Sequence, residues 1–102
     1  PGCTFTGGKA AGASFTDCNF SAASWRGADV RNGDFSRCRL HGADMQGVNL
    51  FRGSLREAGL EGTDLRGANL YGADLYRIGT DAGTNLTGAD CSNTVLAARK
   101  EI

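Results

Sequence analysis

His41 is the only histidine in 102 residues. With Cys3, Cys18, Cys38 and Cys91 and the recurring carboxylates Asp29, Asp34, Asp44, Asp64, Asp74 and Asp90, it is the material the sequence offers for catalysis or metal binding. A nucleophilic centre needs a serine or cysteine beside the histidine and a third group to orient it. A zinc site needs paired ligands at short spacing, and no cysteine pair here forms a CxxC. The carboxylates follow a different rule. Asp29, Asp34, Asp44, Asp64 and Asp74 are separated by multiples of five residues, which is the mark of a structural repeat. Asp, Asn and Ser at such positions bond the local backbone at corners. The chemistry-bearing residues are therefore read as parts of a scaffold: no enzyme activity, no metal and no cofactor are expected.

The scaffold is plainest from Ala43 to Leu75, which divides into ADMQG, VNLFR, GSLRE, AGLEG, TDLRG, ANLYG and ADL. Each block has a small residue, then a turn-prone one, then a large apolar one, then two that are mostly polar or glycine. A helix buries residues about 3.6 apart and a strand every second one, so neither keeps Met45, Leu50, Leu55, Leu60, Leu65, Leu70 and Leu75 on one side. The central position begins at Phe5 and falls on every multiple of five through Leu75. It then shifts by one residue to Leu86, Cys91 and Leu96. The extra residue lies in the unit 78–83, which predicts a bulge in the wall. His41 takes an outward phase, while the cysteines take inward ones, so no nucleophile falls beside it. Sixteen glycines against one proline suit a backbone that turns every few residues. Eleven basic and eleven acidic residues cancel, which argues against direct nucleic-acid binding and an anionic membrane surface. No apolar run is long enough for a transmembrane helix and no signal peptide is evident.

These A(D/N)LxG-type units resemble the pentapeptide-repeat family. The resemblance implies an all-β solenoid, a right-handed quadrilateral β-helix of about five twenty-residue coils with the central and small residues inside. Residues 1–102 then form a single domain with a short tail at 97–102. Positions twenty apart stack, which places Trp25 in the core and Cys18 directly below Cys38, their side chains parallel and not joined. Reduced, buried thiols point to a reducing compartment, the cytoplasm. Cys3-Thr4-Phe5 starts in phase with no cap before it, so either a larger bacterial protein contains this chain or its ends stack on another copy.

What remains is surface. Asp17, Arg37, Glu57 and Arg77 should form a ladder of alternating charge that stabilises stacking modestly. Arg31, Phe51 and Tyr71 should stack as an exposed column, with Arg52 beside Phe51 and Tyr76 round the next corner. Exposed aromatics flanked by arginines have the composition of a protein-binding hot spot, and aromatic ladders also simply stabilise sheets. Among the resembled proteins, the fluoroquinolone-resistance members mimic DNA and bind DNA gyrase, which requires a strongly acidic surface. Here Arg26, Arg31, Arg37, Arg39, Arg52, Arg56 and Arg66 interleave with the acids. The leading reading is a rigid, non-catalytic interaction or spacer module with a protein partner. A gyrase-directed DNA mimic and an end-stacking homo-oligomer are the alternatives.

Overall fold

The fate of five consecutive N–H groups explains the architecture. Asp29 N donates down to Gly8 O at 2.8 Å, and Val30 N and Asn32 N donate up to Asn49 O and Phe51 O, each at 2.9 Å. Gly33 N closes a turn onto Val30 O at 2.8 Å. The fifth, Arg31 N, is taken by the Asp29 side chain, Oδ1 at 3.3 Å. A buried backbone leaves few donors unmatched, and this unit matches all five without an extended strand. The computed structural model describes residues 7–94, and through most of that span the same scheme repeats. Parallel bridges join Lys9 to Asp29, Asp29 to Asn49 and Asn49 to Asn69, twenty residues apart each time. One turn every five residues with a twenty-residue rise makes a coil with four faces.

Asx bonding at the corners is as expected. Asp34, Asp44, Asn49, Asp64, Asn69 and Asp74 each accept the N–H two residues on, at 2.9 to 3.2 Å. The turns place their third residue at positive φ, as a type II turn requires. Among the described residues glycine fills nine of these positions, and eight others are held by Asp17, Ala22, Asn32, Arg37, Arg52, Glu57, Arg77 and Asn93.

The interior is the stack of central and small residues. Phe35, Leu40, Met45, Leu50, Leu55, Leu60, Leu65 and Leu70 are fully buried, and Trp25 is 3% exposed. Phe15, Phe20, Trp25 and Phe35 interlock in the lower coils, with Phe15 and Trp25 edge-to-face at 5.3 Å and Phe15 on Phe35 at 4.9 Å. Offset and edge-on ring packing of this kind adds to the burial of area alone. Small inward residues with a polar atom use the same kind of partner: Cys38 Sγ and the Thr63 hydroxyl donate to the turn carbonyls of Phe15 and Leu40 in the coil below.

Among the described residues register slips once. Gly79 still bridges Gly59, but Asp64 bridges Asn85, twenty-one residues on. Ile78 and Gly79 thus stay in phase and the extra residue lies between Gly79 and Thr84. At neighbouring corners the third turn residue donates to a main-chain carbonyl, Gly42 to Glu61 O and Gly67 to Thr87 O, both at 3.0 Å. Gly62 N instead donates to the Asp81 carboxylate at 3.0 Å. That same oxygen accepts Gly83 N at 2.9 Å, and the Thr84 hydroxyl donates to Leu60 O at 2.7 Å. A side chain replaces the carbonyl that the slip displaces.

Cys91 and Leu86 keep the inward phase, since Asp90 bridges Asn69 and Asn85 bridges Asp64, but Cys91 is exposed and Leu86 is 36% exposed because no described coil lies over them. Cys3, Phe5, Leu96 and the tail 97–102 lie outside the described residues.

Candidate functional site

At the second corner the ring of Phe51 lies on that of Tyr71, centroids 5.4 Å apart and planes 12° apart. The two occupy the same turn position one coil apart, so coil spacing itself sets the stack. The Arg52 guanidinium covers Phe51 at 5.4 Å, and Asn93 donates to the Tyr71 hydroxyl at 2.6 Å. The rings are therefore half-buried and not openly exposed. Arg31 does not continue the column: its Nε turns to Asp29 Oδ1 at 2.9 Å, and that contact lowers the Asp29 pKa. A carboxylate within reach of its own turn outcompetes a ring one coil away.

Tyr76 at the third corner stands among cations. Arg56, from the coil below, lies over its ring at 4.4 Å while one nitrogen holds Asp74 Oδ2 at 3.2 Å. Arg77 lies 5.3 Å from the same ring. Arg56 belongs to this cluster although the sequence reading leaves it out. Its signal was its place twenty residues before Tyr76. The alternating ladder closes at one rung. Arg37 grips Asp17 with two bonds, 2.8 and 3.1 Å, which hold the Asp17 carboxyl below its ordinary range. Among the described residues Glu57 and Arg77 form no ion pair, Arg77 being turned over Tyr76.

The chemistry-bearing residues lie apart on the walls and in the interior. Nε2 of His41 lies 2.9 Å from Glu61 Oε1 across the fourth wall. A Cβ at Gly59 would come within 2.8 Å of that nitrogen, and one at Gly79 within 2.6 Å of Glu61 Oε2, so the glycines make room for both side chains. Cys18, Cys38 and Cys91 are free thiols. Burial pushes the Cys38 thiol up to about 11, which keeps it protonated and unreactive. Among the described residues no pocket opens and no three His, Cys, Asp or Glu side chains are placed to hold a metal ion.

Five-residue units that turn a corner each, with leucine or phenylalanine inside, make a quadrilateral β-helix, a repeat architecture. Eight copies of the pentapeptide-repeat model match residues 2–32, 13–50 and 43–78, and the chain belongs to that family. Among solved structures it is similar to Rfr23, a pentapeptide repeat protein from the cyanobacterium Cyanothece 51142. That match has 29% identity and a TM-score of 0.85, over 91% of this chain and 63% of that one. It is also similar to a pentapeptide repeat protein of the Arabidopsis thaliana thylakoid lumen, at 23% identity and a TM-score of 0.58, over 88% of this chain and 66% of that one. HetL, a pentapeptide repeat protein involved in heterocyst differentiation regulation in Nostoc sp. strain PCC 7120, matches at 26% identity and a TM-score of 0.57, over 90% of this chain and 51% of that one. The chain thus spans between half and two thirds of their lengths. No curated protein matches it by sequence.

Proposed function

We propose that the chain is a rigid, non-catalytic interaction module of a bacterial protein, a column of about five coils that presents Phe51, Arg52, Tyr71 and Tyr76 to a protein partner. The observation that carries this is the Phe51–Tyr71 stack at 5.4 Å beneath the Arg52 guanidinium. Preformed rings flanked by arginine offer apolar area at little ordering cost, as interface hot spots do. Among the described residues no pocket opens, which supports a macromolecular partner over a small substrate. Free thiols at Cys18 and Cys38 support a reducing compartment, the cytoplasm. A DNA-mimicking, gyrase-directed role needs an uninterrupted acidic surface, whereas Arg26, Arg31, Arg37, Arg56 and Arg66 each hold an aspartate here.

The test is affinity capture with the native chain and with Phe51→Ser/Tyr71→Ser, each checked for an unchanged circular-dichroism spectrum. A partner held by the native chain and lost by the double variant supports the reading. An identical set of partners discards this patch.

A further inference from the structure

The third corner carries four charged residues where the backbone favours glycine. Asp17, Arg37, Glu57 and Arg77 sit at φ 62, 59, 60 and 58°, whereas the corner after the first face uses Gly7, Gly27, Gly47, Gly67 and Gly88. The left-handed region is cheap for glycine and strained for residues with a Cβ, so four charged side chains persist here against backbone preference. Strain retained in a set of neighbouring residues is a pointer to a role for their side chains. Ion pairing within the chain accounts for only half of them. Arg37 holds Asp17, while among the described residues Glu57 and Arg77 have no ion-pair partner.

Read upward the corner is minus, plus, minus, plus; read downward it is plus, minus, plus, minus. Such a column is complementary to its own reverse. We propose that this corner is a homodimer interface in which a second copy of the chain lies antiparallel, setting Arg77 against Asp17 of the second copy and Arg37 against Glu57 of the second copy. A two-fold axis crossing the corner between Arg37 and Glu57 repeats each pair, as an isologous contact must.

The flanking columns obey the same operation. The axis makes each column face its own reverse, so Arg56 meets Ser36 and Asp34 meets Ser54 of the other copy. Asp74 meets Ser14, and on the fourth face Arg39 meets Gly59. No like charges are opposed in these columns. A parallel pairing in register would set Arg37 on Arg37 and Glu57 on Glu57. At the first corner a reversal centred one coil higher, between the third and fourth coils, would oppose Asp44 and Asp64. The complementarity thus belongs to this corner and to the antiparallel arrangement. It is independent of the Phe51–Tyr71 stack one corner earlier, so either proposal can fail alone. A corner buries little area, which makes the contact a weak one held by charge and sensitive to salt.

Sedimentation equilibrium of the native chain from about 10 μM to about 1 mM tests this, a range that spans weak dissociation constants. In about 10 mM salt the mass should rise toward the dimer, and in about 1 M salt, where screening reaches ~3 Å, it should return to the monomer. R37E/R77E leaves an all-acidic corner and D17K/E57K an all-basic one. Each alone should lose association by about tenfold or more, and an equimolar mixture should recover it as a one-to-one heterodimer. Should either reversed corner fail to fold by circular dichroism, Glu57→Gln and Arg77→Gln carry the same test, each weakening the dimer. A native chain that stays monomeric at the highest concentration overturns the proposal. So does a dimer that survives salt and charge reversal, or a mixture that does not associate.

Discussion

The corner after the first face and the corner after the third make the same turn from opposite materials. Gly27, Gly47 and Gly67 sit at φ 68, 66 and 69°, and Arg37, Glu57 and Arg77 at 59, 60 and 58°. Both close with the same bond, Ala28 N to Trp25 O at 2.9 Å and Cys38 N to Phe35 O at 3.1 Å. The coil therefore demands a left-handed residue at the third turn position but does not demand glycine. Backbone geometry is fixed by the repeat, while the side chain there is free to vary. One corner spends that freedom on bare backbone, the other on charge.

The comparison can be sharpened first with a glycine that is not at a corner. Gly53 points inward, and a Cβ there would lie 2.0 Å from Leu50 Cδ2 and 2.8 Å from the Gly33 carbonyl oxygen. Gly53→Ala should cost about 3 kcal/mol by urea denaturation, the upper range for an overpacked core. Gly47→Ala is the matched change at the first corner, where a Cβ meets nothing within 4 Å. It should cost about 1 kcal/mol, the left-handed strain alone. Equal costs at the two sites would break the distinction between conformational and packing glycines. A smaller effect of opposite sign is expected where a side chain already bears that strain. Ala22, at φ 62°, should gain about 0.5 kcal/mol on Ala22→Gly, strain relief slightly exceeding the added freedom of the unfolded chain.

The smallest effect concerns pH at the charged corner. The carboxyl of Asp17 is held below its ordinary range, mainly by the hydrogen bond from Arg37. Its contribution is thus fully present above the unfolded value, about 3.9, and is lost as pH falls through the lower folded value. Asp17→Asn should lower the neutral-pH midpoint only slightly, as an exposed pair implies, and take the same small amount out of the fall below about pH 4.

The fold was legible because its signal is a spacing. Met45 to Leu75 at every fifth position admits no helix or strand, and the buried column follows it residue for residue. The corner role of Asp, Asn and Ser was legible for the same reason, since a short acceptor two residues before a turn N–H has one local partner. Side-chain direction was not. Arg31 shares a column with Phe51 and Tyr71, but a flexible guanidinium chooses among partners within reach, and Asp29 is nearer than a ring. Arg77 likewise leaves Glu57 for Tyr76. Asp81 was hidden in a unit that read only as one residue too long, because a carboxylate that replaces a carbonyl has no spacing of its own.

The bridges from Lys9 to Asp29, Asn49 and Asn69 also set a quantum of length for the gene. A deletion from His41 to Leu60 would join Leu40 to Glu61, the same junction type that Leu60 makes with Glu61 now, and every remaining side chain would keep its wall. A deletion one residue shorter would rotate all that follows out of phase unless a carboxylate such as Asp81 stood ready to mend the seam. Such a chain changes length most easily by whole storeys, and the slip between Gly79 and Thr84 marks where a fractional change is accommodated because a side chain takes over a main-chain bond.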